Sequence, residues 1–274
     1  MGQKNQKNAA GGLNMPLLEK VGKQIFWKSY FRIYDKLCDM GPYRKLLSRG
    51  VELLKPRSGG NYLDVASGTG NSTVAIWGRL RAIGGGEVTG IDSSTYGLAA
   101  AKEKYPPLEF PGLKFIFGDV DYPLPFETAS LDGAFANNAM YLVRDPLLTL
   151  SEIHRVLRPG ARFVMSNPVP QASPLEIIFE DARMRFREAL GDYSVVSSGV
   201  IAASRFGKKF LVLLEFLPFQ IALKRGAGGA SNFIGETQWR KIIADLAESG
   251  HKFEIEAVEE AYAGQNTLFA MVRQ

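Results

Sequence analysis

Residues 61–73 read Asn61-Tyr-Leu-Asp64-Val-Ala66-Ser-Gly68-Thr-Gly70-Asn-Ser-Thr73. A short β-type run, Tyr62–Val65, meets two glycines one residue apart and then a stretch that opens a helix. Glycine lets a backbone pass close to a ligand because no Cβ stands in the way, and a helix N-terminus presents free amides. Such a turn suits a nucleoside with a charged tail. The next β-type run, Val88–Ile91, ends at Asp92, whose carboxylate can accept the two hydrogen bonds that a vicinal diol offers. Nicotinamide-binding folds also place glycines here, but their fingerprint needs a third glycine three residues after the second. Thr73 stands at that position.

Beyond this turn, β-type runs alternate with helical stretches. Lys114–Phe117, Leu131–Ala136 and Arg162–Ser166 continue the series, which predicts a parallel sheet wrapped by helices. The last two runs, Phe253–Val258 and Leu268–Val272, are separated by too few residues for a crossover helix, so they are expected to pair antiparallel. Ahead of the turn, apolar positions from Leu18 to Leu37 recur at helical spacing; Gly41-Pro42 ends that helix and a second runs through Val51–Leu54. Residues 1–12 lack periodicity and are expected to be a mobile tail. The resulting organisation is a tail at 1–12, a helical cap at 13–60, a core at 61–170, an inserted lid or substrate cap at 171–235, and a completion of the core at 236–274. The lid contains a charged helix around 175–190, the apolar stretch Phe210–Leu223 and the glycine-rich 226–230.

Composition narrows the function. The 274 residues are 46% hydrophobic and 22% charged, ordinary for a globular chain, and no apolar run is long enough to span a bilayer. Phe210–Leu223 is interrupted by Glu215 and Pro218; it reads as a lid segment and leaves peripheral lipid contact open. Cytoplasmic placement is the expectation from the missing secretory signal. One cysteine and two histidines give little capacity for disulfide or metal, and Cys38, among apolar neighbours, reads as core. The net charge of +5 is uneven: residues 1–60 hold 12 Lys or Arg against 4 Asp or Glu, and the remainder is slightly acidic. Such a bias suits an anionic partner or simply solvated helix faces.

Taken together, Leu63-Asp64-Val-Ala-Ser-Gly-Thr-Gly70-Asn resembles the first motif of class I S-adenosylmethionine-dependent methyltransferases, with Ala66 where the family more often has glycine. The resemblance extends in order through Val88-Thr-Gly-Ile-Asp92, Gly118-Asp119-Val120, Ser130–Leu142 and Val156-Leu-Arg-Pro-Gly160 to the terminal hairpin, and its nearest form is the ubiquinone/menaquinone-biosynthesis type. It implies a Rossmann-like α/β fold with a seven-stranded, mostly parallel sheet whose last strand is antiparallel, helices on both faces, an N-terminal helical cap and a lid insertion. It also implies S-adenosylmethionine as cofactor and S-adenosylhomocysteine as product. By resemblance Asp64 orders the loop near the methionine amino group, and Ala66, Gly68, Thr69 and Gly70 line the methionine and ribose portions. Asp92 binds the ribose hydroxyls with Ser93 beside the adenine, Asp119 and Val120 meet the adenine edge, and Asn137, Asn138 and Tyr141 face the transferred methyl. Asn137 thus serves cofactor and substrate, with Tyr141 as a second substrate-positioning candidate.

Each of these has a plainer alternative: Asp64 as a cap, Asp119 as a turn residue, Asn137 and Tyr141 as packing at a strand end. Neither His154 nor His251 reads as a catalytic base. Attack on a sulfonium methyl mainly requires a positioned nucleophile and exclusion of water, so the missing base favours an acceptor that is already acidic. Aromatics of the cap and lid, among them Trp27, Tyr30, Phe31, Tyr34, Phe216 and Phe219, could wall an apolar pocket. The expected substrate is therefore a small apolar or aromatic metabolite. A nucleic-acid methyltransferase using the basic N-terminal segment is the rival; Asn167-Pro-Val-Pro170 counts against it, because the corresponding amino-methyltransferase signature follows the fourth strand and carries an aromatic. A non-catalytic cofactor-binding regulator is a third reading.

Overall fold

The computed structural model describes residues 15–191, 211, 214–225 and 232–274. Two helices lead, α1 (Met15–Cys38) and α2 (Gly41–Leu54), followed by β1 (Asn61–Val65), α3 (Asn71–Ala82), β2 (Glu87–Asp92), α4 (Thr95–Lys104) and β3 (Leu113–Phe117). β4 (Leu131–Asn137), α5 (Pro146–Val156), β5 (Leu157–Pro168) and α6 (Pro174–Gly191) continue the chain. After α7 (214–224) come α8 (Glu236–Glu248), β6 (Phe253–Ala261) and β7 (Asn266–Arg273).

The seven strands form one sheet in the order β3-β2-β1-β4-β5-β7-β6. β1 pairs parallel with β2 and β4, β3 with β2, and β5 with β4, whereas β7 is antiparallel to both β5 and β6. The sequence expectation of a Rossmann-like α/β sheet with an antiparallel last strand is met. β5 starts at Leu157 instead of Arg162, because Leu157 pairs with Leu131 and an irregularity in the ladder then absorbs the Arg-Pro-Gly turn. Tyr262, Ala263 and Gly264, all with positive φ, make the turn between β6 and β7.

Central strands buried on both sides explain the nearly continuous apolar runs. One face packs Phe163, Met165 and Phe269 against Ile153 of α5 and Trp239 and Ile243 of α8. The other packs Phe135, Val164 and Leu268 against Leu46 and Leu54 of α2, Ile76 of α3, Ile177 of α6 and Phe216 of α7. Asp132 is structural: its carboxylate accepts the backbone N–H of Asn61 at 2.9 Å and pairs with Arg158 at 2.6 Å, tying the start of β4 to β1 and β5. Strand order reverses between β1 and β4, and the carboxyl ends there form the crevice where open α/β sheets bind ligands.

The tail at 1–12 and the glycine-rich 226–230 lie outside the described residues. Among the described residues no helix is long and apolar enough to cross a membrane, and no acidic, histidine or cysteine cluster could hold a metal ion.

Candidate active site

The crevice is a cleft of about 930 Å³, at the upper end of the roughly 300–1,000 Å³ typical of small-molecule sites. Ala66, Ser67, Gly68 and Thr69 form one wall, Asp92, Ser93, Phe117 and Asp119 another, and Asn137 and Asn138 the floor; Gln24, Trp27, Phe31 and Tyr34 of α1 roof it.

The glycine loop is held from below and above. Ala66 has φ +55°, a left-handed conformation in which its Cβ is strained, and Gly68 has φ +53°. Asp92 fixes the loop's height, accepting the Gly68 N–H at 2.7 Å with one carboxylate oxygen and the Ser94 N–H at 2.7 Å with the other. Each oxygen keeps a lone pair for a ligand. From above, Phe31 lies where a Cβ on Gly68 would stand, 2.8 Å from the ring. Asp35 of α1 accepts from Thr69 Oγ1 at 2.5 Å and from Asn71 Nδ2 at 3.1 Å, and pairs with Lys104 at 3.0 Å. Asp35 escaped the sequence reading because nothing in a helical repeat marks which polar residue will meet a distant loop.

Asp64 does not face the cleft. It is fully buried beneath the loop and accepts from Ser72 Oγ at 2.8 Å and Thr73 Oγ1 at 2.6 Å. From outside the cleft, Asp64 fastens the first turn of α3 to β1. Burial pushes its carboxyl up to about 7, against the pull of the two hydroxyls; burial also raises Asp92, to about 6. Gly70 likewise sits behind the loop, where a Cβ would strike Phe115 at 2.7 Å. Val120 packs against the core beside α5, its carbonyl accepting from Thr149 at 3.3 Å. Neither lines the cleft.

At the far end, Arg144 reaches across from the segment after β4. Its backbone N–H and Nε meet the Asp121 carboxylate at 2.7 and 2.9 Å, its guanidinium stacks over Tyr122 at 5.3 Å, and Asp119 lies 3.8 Å away. These contacts join the loop after β3 to that after β4, and they depend on a fold the local sequence does not announce.

Asn137 and Asn138 end β4 in a polar cluster. Asn137 Nδ2 donates to Tyr43 Oη at 3.1 Å, leaving its Oδ1 buried without a partner; Ser67 Oγ is likewise unpartnered. Asn138, at φ +54°, donates to Tyr34 Oη at 3.3 Å and accepts from Asn266 at 2.6 Å. Tyr34 in turn donates to Tyr43 at 3.4 Å. Tyr141 is absent from the cleft and instead walls an adjoining chamber of about 50 Å³ with Phe216, Phe233 and Tyr262; Tyr30, Tyr34 and Asn138 are shared by both spaces. Burial holds the tyrosine hydroxyls and the Cys38 thiol above their ordinary pKa values, so they stay protonated. His154 and His251 pack edge to face against each other away from the cleft, and burial lowers His154 to about 4.

Two unpartnered buried acceptors, a carboxylate with free lone pairs and a tightly turned backbone fit an adenosine diol at Asp92 and a cationic amino-acid end near Asn137 and Ser67. Ala66, Gly68, Thr69, Asp92, Ser93, Asp119 and Asn137 are brought together as the sequence reading expected.

The profile of the family described as "Methyltransferase domain" matches residues 56–210. A demethylmenaquinone methyltransferase from Staphylococcus aureus is 41% identical over 138 residues, 50% of this chain and 54% of that protein. The chain thus spans about half the length of the curated relatives it matches. Among solved structures, a SAM-dependent methyltransferase from Aquifex aeolicus superposes with TM-score 0.52 at 13% identity, covering 96% of this chain and 98% of the other. A geranyl diphosphate C-methyltransferase from Streptomyces coelicolor, bound to geranyl diphosphate and S-adenosyl-L-homocysteine, gives 0.56 at 13% identity over 85% and 79% of the two chains. These structural likenesses establish the fold. With the family profile covering more than half its length, the chain belongs to the methyltransferase-domain family, the class I S-adenosylmethionine-dependent methyltransferases.

Proposed function

We propose that this chain transfers a methyl group from S-adenosylmethionine to a small apolar or aromatic acceptor held where the cleft meets the tyrosine-lined chamber. The observation that carries the reading is the shared wall of Tyr30, Tyr34 and Asn138 between a cleft fitted for an adenosyl group and a chamber of aromatic side chains. When bound, S-adenosylmethionine supplies an electrophilic methyl that needs no further activation.

The residues then position and shield. Asp92 holds the ribose end, Asn137 Oδ1 receives a donor from the amino-acid end or the acceptor, and Trp27 and Phe31 roof the cleft against water. No histidine, thiolate or tyrosinate among the described residues lines the cleft as a base, and Asp92 is committed to the loop. A phenolate or enolate acceptor needs no base, and the protonated tyrosines can donate to its oxygen. Arg144, engaged by Asp121, is the sole Lys or Arg among the described residues of the cleft, and the chamber has none. This lining favours an apolar ring over a diphosphate, and the demethylmenaquinone named for the staphylococcal relatives has a matching apolar ring system.

The test is transfer of labelled methyl from S-adenosylmethionine in the presence of a lipid extract, a polar metabolite extract or total RNA. Label entering the solvent-extractable fraction supports the reading. Label entering RNA alone, with salt suppressing it, contradicts it.

A further inference from the structure

The outward side of α7 is apolar. Leu214, Leu217 and Ile221 are 51%, 45% and 46% exposed, and their spacing places them on one stripe with exposed Leu211 just before. The opposite side of the same helix, Phe216 and Leu223, is buried and walls the chamber. A helix on a water-facing surface ordinarily turns polar residues outward; α7 is apolar on both sides, which belongs in a core or at a lipid boundary. Single exposed apolar residues are commonplace, but a continuous stripe is not.

α1 runs beside it, since Phe26 packs on Phe219 at 5.6 Å between ring centres and Lys36 pairs with Glu215 at 2.9 Å. Ile25 of α1 is 60% exposed and lies on the same helical stripe as Lys36. Exposed Arg32 and Lys36 on α1, the latter paired with Glu215, and Lys224 and Arg225 at the end of α7 place cations around the apolar stripe, the two on α1 falling within residues 1–60, which hold the chain's positive excess. Long basic side chains bordering apolar residues suit phosphate headgroups above an acyl layer better than they suit a second copy of the same cationic face.

We propose that α7 and the adjoining face of α1 dock on a lipid bilayer bearing anionic headgroups. The docking places the chamber one helix away from the acyl region; only that last consequence, supply of an apolar acceptor from the lipid, rests on the proposed function.

The experiment is co-sedimentation of the full chain with vesicles of phosphatidylcholine alone and of phosphatidylcholine mixed with phosphatidylglycerol. Expected is sedimentation with the mixed vesicles, weakened by added salt, and a loss of affinity on the order of tenfold in an L214S/I221S double variant. These side chains face outward, so the variant should keep its melting temperature and its adenosylhomocysteine binding. Absence of sedimentation with mixed vesicles, or equal sedimentation of the variant, overturns the proposal. A dimer of the wild type that dissociates in the variant, without vesicle binding, overturns it in favour of a second copy. Vesicle binding with no methyl transfer to any apolar acceptor supports docking and contradicts the acceptor reading alone.

Discussion

Asp92 accepts the backbone N–H of Gly68 at 2.7 Å, so the acid that ends β2 fixes the loop that follows β1. The same carboxylate lines the cleft, which makes loop shape and ligand binding depend on one group.

Acid should weaken cofactor binding, while the two buried carboxylates favour the empty fold in acid and His154, held by burial at about 4, opposes them. Asp64 and Asp92 titrate near 7 and 6 in the folded chain against an ordinary value of 3.8, both raised by burial. Folding therefore takes up protons between about pH 4 and about pH 7, and the stability they contribute is complete below the unfolded value and lost as pH rises through the folded ones. Affinity for adenosylhomocysteine runs the other way, falling as pH drops through about 6, because a protonated Asp92 is a poorer acceptor for two hydroxyls. Melting of an Asp64→Asn variant against the wild type across that range isolates the carboxylate's sign, and titration checks the ligand's; affinity independent of pH would count against the role of Asp92.

Gly68→Ala should destabilise the fold by about 1–2 kcal/mol, because a Cβ at positive φ is strained and would meet the Phe31 ring at 2.8 Å. Ala66→Gly should be neutral or mildly stabilising, since φ +55° is free of strain for glycine although its unfolded chain is more flexible. Thermal melts of the two variants should separate in that order.

Tyr43→Phe removes the hydroxyl that holds Asn137 Nδ2 at 3.1 Å. A buried donor then loses its partner, costing about 1–3 kcal/mol of stability, and the free amide can turn its Oδ1 out of place. The expected outcome is a fall in kcat on the order of tenfold with a smaller loss of adenosylhomocysteine affinity, since Asn137 also faces the amino-acid end. Steady-state rates together with calorimetry check the split; a loss confined to cofactor affinity would assign Tyr43 elsewhere.

Much of the fold was legible because it rests on local signals. The alternation of runs from Tyr62 to Ser166 and the short link between Phe253–Val258 and Leu268–Val272 foretold the sheet. At the site, Asp92 and Asn137 were recognisable from their places at strand ends and Gly68 from the glycine turn after β1. What escaped reading depends on chain segments far apart in sequence. Asp35 meets Thr69 from 34 residues away and Tyr43 meets Asn137 from 94, and no periodicity encodes such meetings. The partners of Asp64 show the same limit. Alternation along β1 fixes which face a side chain takes, but only the path of α3 shows that Ser72 and Thr73 occupy its carboxylate.

Arg144→Ala should loosen the far end of the cleft, since it removes the tie from Nε to Asp121 at 2.9 Å and the stack over Tyr122. This exposed pair adds little to stability, so the melting temperature should hardly move. A several-fold loss in adenosylhomocysteine affinity, about 1 kcal/mol, is expected; a large drop in melting temperature with intact affinity would make Arg144 a structural residue.

Titration calorimetry of adenosylhomocysteine into the wild type and the Asp92→Ala variant tests the central claim most directly, with circular dichroism confirming that both are folded. Loss of the paired acceptor is predicted to weaken binding by about 1.5–3 kcal/mol. Equal affinity in the two proteins, or no heat of binding in the wild type, would contradict the assignment of this cleft to S-adenosylmethionine.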